Sequence, residues 1–204
     1  MLFRSAAQLT ACGLRAGQTV LVHSSLSALG WVAGGAQAVI MALLDVLGAG
    51  GTLMMPTHSN ANTDPGQWRN PPVPEAWQDI IRAHWPAYDP ARTPARAMGV
   101  IPELFRTWPG MIRSAHPSGS FAACGPNARA LIDGHTLESI FGDDSPIGQL
   151  YALDGHVLLL GVGHFNNTSL HLAEYRAQFA SKHYATEYSA VIGEDGRRAW
   201  RQYR

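Results

Sequence analysis

The alternation of strand and helix patterns over residues 19–56 constrains the fold more than any other part of the sequence. The apolar run TVLVH (19–23) precedes a turn rich in serine and glycine, a helical pattern over residues 36–47, and a second apolar run, TLMMP (52–56). Two short strands joined through a helix are typical of a parallel strand pair with the helix on one face. The sequence therefore predicts an α/β fold.

A long proline-rich segment, residues 57–95, interrupts this regular pattern. Eight of the 13 prolines lie from Pro56 to Pro94, and only residues 75–84 show a helical pattern there. Long irregular segments in compact domains are often binding loops. We expect a single domain over residues 1–204, with a mixed, largely central β-sheet flanked by helices and this proline-rich insertion.

Shorter patterns predict the remaining elements. The run HVLLLGV (156–162) is the strongest buried-strand signal in the chain. An Asp195-Gly196 pair predicts a hairpin turn near the end of the sequence. The other expected elements are helices at 5–15, 99–107, 126–132 and 170–180, and a strand at 120–124.

Composition excludes several classes of protein. The 15 basic and 15 acidic side chains balance, which gives no general reason to expect nucleic acid or a membrane surface as partner. Two cysteines provide no disulfide framework, and no apolar run is long enough to span a bilayer. We expect a cytoplasmic protein.

The balanced charge is unevenly distributed along the chain. Residues 130–175 contain no Lys or Arg but six acidic residues, whereas residues 82–129 are mainly basic. The first region would favour a cationic ligand and the second a phosphate-bearing one. Ordinary solvated surface explains the same distribution.

The glycine-rich turn after the first strand is the first candidate binding motif. Gly30, Gly34 and Gly35 allow close backbone approach to a ligand and present N–H groups at a helix start. Such a loop suits a phosphate or the amides of pantetheine, although it matches neither GxGxxG nor a Walker loop. A plain glycine-rich connection is the alternative.

The segment RSAHPSGS (113–120) is the second motif. Arg113 is a forked donor suited to phosphate, and Ser114 and His116 add shorter donors. The alternative is a loop held by its own hydrogen bonds.

The segment NNTSLHLAE (166–174) is the third motif. It follows the apolar strand, so we expect it at the carboxyl end of a central strand, where open α/β sheets place their sites. His171 and Glu174 are three residues apart and share a helix face. A histidine beside a carboxylate is a suitable general base; a capped helix with an interior histidine is the alternative.

Other catalytic patterns are weak. None of the nine histidines has HExxH spacing, and there is no GxSxG elbow. We therefore expect no metal site and no serine nucleophile.

Together these segments resemble the aminoglycoside 3-N-acetyltransferases of the antibiotic N-acetyltransferase family, from about residue 5 to residue 190. The matching stretches, in order, are VHSSLSALGWVAGG (22–35), GGTLMMPTHS (50–59), TPARAMGVIPELFR (93–106), RSAHPSGSFAACG (113–125), DDSPIGQLYALDGHVLLLGVG (143–163) and NNTSLHLAE (166–174).

The resemblance implies acetyl-CoA as cofactor, an aminoglycoside as substrate, antibiotic resistance as outcome, and a monomer or homodimer. The residues implied for the pantetheine and pyrophosphate are Ser24, Ser25, Ser27, Gly30, Val32, Gly34 and Gly35. Those implied beside the cofactor arm or its phosphates are Arg113, Ser114 and His116.

The resemblance also implies catalytic and substrate-binding roles. His171 would be the general base, and Glu174 would either orient it or bind a substrate ammonium. Thr168 would polarise the thioester carbonyl. The carboxylates implied to hold the aminoglycoside, besides Glu174, are Asp64, Asp143 and Asp144.

Three other functions remain open at this point. They are transfer to another amine by the same family, coenzyme A binding without catalysis, and metal-dependent hydrolysis by histidines. Family members usually run longer, which leaves two alternatives: a C-terminal segment that forms part of the substrate wall is missing, or this is a short variant.

Overall fold

A five-stranded mixed sheet forms the centre of the fold in the computed structural model, which describes residues 2–204, with side chains from residue 5 onward. The strands are β1 (Thr19–Ser24), β2 (Thr52–Pro56), β3 (Ile112–Arg113), β4 (Phe121–Cys124) and β5 (His156–Leu160). They lie in the order β3-β4-β2-β1-β5. A separate antiparallel hairpin contains β6 (Glu187–Ile192) and β7 (Arg198–Tyr203).

Seven helices accompany the sheets in residues 2–204. They are α1 (Leu2–Ala11), α2 (Gly35–Leu47), α3 (Glu75–His84), α4 (Val100–Phe105), α5 (Ala128–Ile132), α6 (Pro146–Ala152) and α7 (Leu170–Arg176). Within this part of the chain, no helix combines the length and the apolar character needed to cross a membrane. The α/β class, the mixed sheet and the flanking helices are confirmed. The first helix begins and ends earlier than expected, and α7 ends four residues short of residue 180.

The predicted parallel pair is confirmed, because β1 pairs in parallel with β2 and α2 connects them. β5 joins β1 in parallel on the other side, whereas β4 is antiparallel to β2. Side chains alternate across β1, so Val20 and Val22 pack in one apolar cluster and Leu21 in the other. Apolar side chains on both faces explain the continuous hydrophobic run of this strand.

The sequence predicted that the apolar strand β5 is central, but β5 lies at the edge of the sheet. Within residues 2–204 it pairs only with β1, and Val157 is 38% exposed. The expectation of a buried, central strand was therefore wrong. A run of apolar residues identifies a strand, but it carries no information on how many neighbouring strands pair with it.

The proline-rich insertion contains the predicted helix α3 and two short 3-10 turns. It packs against the hairpin through hydrogen bonds to main-chain carbonyls: the Tyr88 amide donates to the Ala190 carbonyl at 2.8 Å, and the Trp200 side chain donates from Nε1 to the Arg82 carbonyl at 2.9 Å. Residues of the insertion and of the hairpin also line one cavity with His171 of α7.

Candidate active site

The helix α7 carries the predicted His–Glu pair, and its start is set by Asn167. The Asn167 side-chain oxygen accepts a hydrogen bond from the Ser169 amide at 3.2 Å, an Asx-type turn that starts a helix. Residues three apart on the helix that follows lie one above the other. This local geometry brings His171 and Glu174 together, as the sequence predicted.

His171 is held by two contacts. Its Nδ1 lies 2.7 Å from Oε2 of Glu174. An ionised carboxylate only accepts, so Nδ1 donates and the neutral ring keeps a free lone pair on Nε2. The ring also stacks on Phe141, with 5.0 Å between centroids and 15° between planes. The direction of the Nε2 lone pair is thereby fixed by one edge and one face of the ring.

A cavity of about 470 Å³ joins this helix to the end of β1. Its wall includes His23 and Ser24 from β1, and Thr168, His171 and Glu174 from the third motif. The structure thus brings together two of the three segments that the sequence singled out. Ala97 and Met98, which follow the insertion, line another side of this cavity.

Two buried polar atoms on this wall have no hydrogen-bond partner in residues 5–204: the Nε2 of His23 and the Oγ of Ser24. Burial lowers the pKa of His23 to about 4, so its ring is neutral at pH 7. Buried polar groups in native proteins normally find a partner. These two atoms therefore provide hydrogen-bonding capacity for a ligand.

The other predicted residues of the serine- and glycine-rich turn do not line this cavity. The hydroxyls of Ser25 and Ser27 are 3.1 Å apart, and Val32 packs against the apolar core. Gly34, the N-cap residue before α2, has a φ of +83°, a conformation that disfavours other residues. The remaining predicted cofactor ligands of the turn, Gly30 and Gly35, also have positive φ. Cofactor contact by this turn, including contact by Ser24, stays a prediction.

All three guanidinium nitrogens of Arg113 donate hydrogen bonds to other protein groups. Its Nε donates to Thr57 and Ser120 hydroxyls at 3.1 Å, and Nη2 donates to the Thr57 carbonyl at 2.6 Å. Nη1 donates to the carbonyls of Pro90 and Thr93. Burial lowers the pKa of the guanidinium below its usual range. Phosphate binding by Arg113 stays a prediction, and these contacts favour a loop held by its own hydrogen bonds.

Ser114 and His116 are buried in the same loop. The Ser114 hydroxyl accepts from the Phe121 amide at 3.0 Å and lies 2.9 Å from Nδ1 of His135. His116 is 0% exposed and stacks on His135, and its Nδ1 accepts from the Gly119 amide at 3.0 Å. Neither lines the cavity beside His171. Their placement beside the cofactor stays a prediction without support from these contacts.

The predicted substrate carboxylates lie in different places. Asp64 accepts two hydrogen bonds from Arg82 at 2.8 Å, and this partner holds its pKa below the usual range. Asp143 pairs with Arg176, with 2.8 Å between Oδ1 and Nε. Asp144 is exposed and lines, with Asp143, a cavity of about 620 Å³. Asp64 therefore has a structural partner, whereas Asp144 remains accessible to a ligand.

Sequence reasoning missed three residues around His171. Phe141, His58 and Glu187 line a second cavity of about 440 Å³ with Thr168 and His171. His58 is the second residue after β2, and a polar residue close to a strand end was a usable signal. Phe141 and Glu187 come from a loop and from the hairpin, and no spacing in the sequence links them to α7.

Comparison with known proteins places this geometry in a family. The family model described as aminoglycoside 3-N-acetyltransferase matches residues 21–204. The chain is 48% identical, over 96% of its own length and 71% of the relative's, to the SPbeta prophage-derived aminoglycoside N(3')-acetyltransferase-like protein YokD of Bacillus subtilis. It is 46% identical to aminoglycoside N(3)-acetyltransferase IX of Micromonospora chalcea, over 94% of this chain and 67% of the relative.

Solved structures agree with these sequence matches. The crystal structure of YokD superimposes with a TM-score of 0.94, covering 98% of this chain and 74% of the other. AAC-IIIb in a binary complex with CoASH is 33% identical and superimposes with a TM-score of 0.85, covering 100% of this chain and 74% of the other. AAC-VIa with bound sisomicin is also 33% identical, with a TM-score of 0.88, covering 99% of this chain and 74% of the other.

The mixed sheet and these matches define an N-acetyltransferase that uses acetyl-CoA. The chain belongs to the aminoglycoside 3-N-acetyltransferase family.

Proposed function

We propose that the chain transfers the acetyl group of acetyl-CoA to the 3-amino group of a 2-deoxystreptamine antibiotic, with His171 as general base. One observation carries the proposal: His171, its Nδ1 bound to Glu174, lines a cavity that also contains Ser24 at the end of β1. A free Nε2 lone pair beside a cavity suits removal of a proton from an acceptor amine.

The cofactor fits the polar atoms of this cavity. The buried Oγ of Ser24 and Nε2 of His23 have no partner in residues 5–204, and the amide and carbonyl groups of pantetheine would pair with them. Bound acetyl-CoA supplies the acyl group as an activated thioester, whose sulfur leaves as a thiol. The chain therefore needs no covalent nucleophile of its own.

His171 and Glu174 together manage the proton. The acceptor amine is largely an ammonium at neutral pH and cannot attack until it loses a proton. Nε2 of His171 takes that proton, and the Glu174 carboxylate stabilises the imidazolium that forms. General-base assistance of this type contributes roughly 10²–10⁴-fold.

Thr168 is the candidate donor for negative charge on the acyl oxygen. It lines both cavities that include His171. A hydroxyl that donates to a developing oxyanion is typically worth about 3 kcal/mol. We therefore assign Thr168 the polarising role and Ser24 the binding role.

The charge around the site favours a polycationic acceptor. Glu174 and Glu187 line a third cavity, of about 400 Å³, and Glu138, Asp143 and Asp144 line a neighbouring one. The two cavities share Arg204, and with Lys182 this gives two cationic side chains against five carboxylates. Carboxylates along one groove attract ammonium groups and lose part of that attraction in high salt. AAC-VIa was solved with sisomicin and AAC(3)-IVa with apramycin, both aminoglycosides.

The test is a thiol-release assay with acetyl-CoA and a panel of amines. We expect release with 2-deoxystreptamine drugs and N-acetylation at position 3 by mass spectrometry and NMR. The variant His171→Ala should lose roughly 10²–10⁴-fold in kcat, whereas His84→Ala, an exposed histidine at the end of α3, should keep wild-type rates.

Three results would contradict the proposal in different ways. Near-wild-type turnover by His171→Ala would remove the base assignment. Acetylation only of amines unrelated to aminoglycosides would leave the chemistry and change the substrate. Coenzyme A binding without thiol release over the whole panel would favour a non-catalytic binding protein.

A further inference from the structure

Glu187 lies where the hairpin meets the reaction cavity. It is the first residue of β6 and pairs in register with Tyr203 of β7. Its side chain lines the cavity that contains His171 and Thr168, and also the adjoining cavity that contains Glu174. A carboxylate that the sequence did not single out therefore stands beside the proposed base and faces both spaces.

A chain of buried hydroxyls holds this carboxylate. Ser118 Oγ donates to Glu187 Oε2 at 3.1 Å, and Tyr203 Oη donates to Ser118 Oγ at 3.1 Å. Ser189 Oγ lies 2.7 Å from Tyr203 Oη. All three hydroxyl residues are buried: Ser118 is 3% exposed, Tyr203 4% and Ser189 0%. Burial also raises the pKa of Tyr203, so it stays a donor.

The arrangement orients Glu187 without neutralising it. Hydroxyls donate hydrogen bonds but contribute no positive charge. Within residues 5–204, no Lys, Arg or His nitrogen lies within 4.0 Å of its carboxylate, and no described group donates to Oε1. Two cationic residues, Lys182 and Arg204, line the adjoining cavity with Glu187. Lys182 donates instead to the carbonyls of Tyr175 and Ala177, and Arg204 is exposed and forms no ion pair with Glu187.

We propose that Glu187 binds a second ammonium of the acceptor, one other than the amine that His171 deprotonates, and so selects acceptors with at least two amines. This inference rests on the proposed function, since a second ammonium exists only on a polyamine acceptor. The carboxylate is fixed in direction, lacks a protein cation, and shares one cavity with the base. One ammonium of the acceptor supplies the missing counter-charge to Glu187, while another amine of the same molecule lies at Nε2 of His171.

The direct test is binding of sisomicin to the full chain, measured by titration calorimetry for the wild type, Glu187→Gln and Glu194→Gln. In Glu187→Gln the new amide oxygen would still accept from Ser118 but the charge is gone, so we expect Kd to rise about 10–100-fold. Glu194 lies exposed on the hairpin turn and serves as the matched control, with Kd unchanged. The salt dependence of Kd should also become shallower in Glu187→Gln.

Kinetics separate this role from a structural one. In Glu187→Gln we expect KM for sisomicin to rise, while kcat and the KM for acetyl-CoA stay within about twofold. A charge contact between Glu187 and a non-reacting ammonium contributes to substrate binding and not to the chemical step. With the monoamine cyclohexylamine as acceptor, the same substitution should have no effect on kcat/KM. A second variant, Ser118→Ala, keeps the charge and removes its anchor, and we expect a smaller, severalfold rise in Kd.

The possible failures are distinguishable. Wild-type binding and acetylation of sisomicin with an unchanged Kd in Glu187→Gln would overturn this inference alone. An equal penalty with cyclohexylamine and sisomicin would assign Glu187 a structural role and would also overturn it. A wild-type chain that neither binds nor acetylates any amine would overturn the proposed function and this inference together.

Discussion

The imidazole of His171 lies nearly parallel to the ring of Phe141, with 5.0 Å between the two centroids. The Phe141 ring in turn packs against the ring of the buried His58, with 5.4 Å between the two centroids. A fixed ring plane matters because small misplacements of a catalytic group reduce the rate steeply. We expect Phe141→Leu to lower kcat by roughly tenfold in the thiol-release assay, and Phe141→Tyr to keep most of it. Equal rates in Phe141→Leu and the wild type would show that Glu174 alone orients the ring.

The role of Glu174 can be decided by one substitution. In Glu174→Gln the amide oxygen still accepts from Nδ1 of His171, but the charge that stabilises the imidazolium is gone. If Glu174 supports the base, kcat should fall by roughly 10²-fold while KM for the aminoglycoside changes little. If it binds a substrate ammonium instead, KM rises and kcat is kept. The exposed Glu75 of α3 provides the control, Glu75→Gln.

Asp64 is expected to support the insertion rather than the substrate. Its carboxylate accepts hydrogen bonds from Nε and Nη2 of Arg82 and from the Gly66 amide, and its side chain is 18% exposed. We expect Asp64→Asn to lower the free energy of unfolding by about 1–2 kcal/mol with KM for the aminoglycoside unchanged. Asp79 also contacts Arg82 but is 95% exposed, so Asp79→Asn should cost less than ~0.5 kcal/mol.

The Asp64 contact also predicts a pH dependence. Its pKa is held below the usual value by the Arg82 hydrogen bonds, so the stabilisation is present above about pH 4 and is lost as the pH falls through the lower, folded-state value. Urea unfolding between pH 5 and pH 2 should show this loss in the wild type. A parallel loss in Asp64→Asn would contradict the assignment.

Four buried histidines should make the protein sensitive to mild acid. Burial lowers the pKa of His23 and His116 to about 4 and of His58 and His135 to about 3. The unfolded chain takes up these protons near pH 6.5 and the folded chain does not, so stability is full above that pH and falls below it. Each ring contributes a slope of about 1.4 kcal/mol per pH unit between the two values. Unfolding midpoints from pH 7.5 to 5 measure it, and a flat profile would contradict the burial of these rings. The exposed His84→Asn serves as control.

Local sequence patterns predicted the parts of the structure that depend on near neighbours. The strand–helix–strand unit follows from periodicity, because α2 needs only its own apolar face and a glycine stop at Gly48. The His171–Glu174 contact follows from helical spacing in the same way. Both relations join residues that are close in the chain, so their geometry is set before the tertiary fold.

Relations between distant segments were the ones that the sequence left open. Whether β5 lies at the centre or the edge depends on how strands from other parts of the chain pair. Whether Arg113 is available to a phosphate depends on carbonyls about twenty residues earlier, at Pro90 and Thr93. The placement of Glu187 beside His171 depends on the packing of the hairpin against the insertion. None of these leaves a periodic or spaced signal.

The contacts of Arg113 have a consequence for how the insertion can vary. One guanidinium, on β3, holds the start of the insertion through Thr57 and its end through Pro90 and Thr93. A segment held at both ends has less freedom to move as a unit than one held at a single end. Under the proposed function, we expect a change of acceptor to come from the exchange of single side chains that face the cavities, while the two anchored ends stay in place.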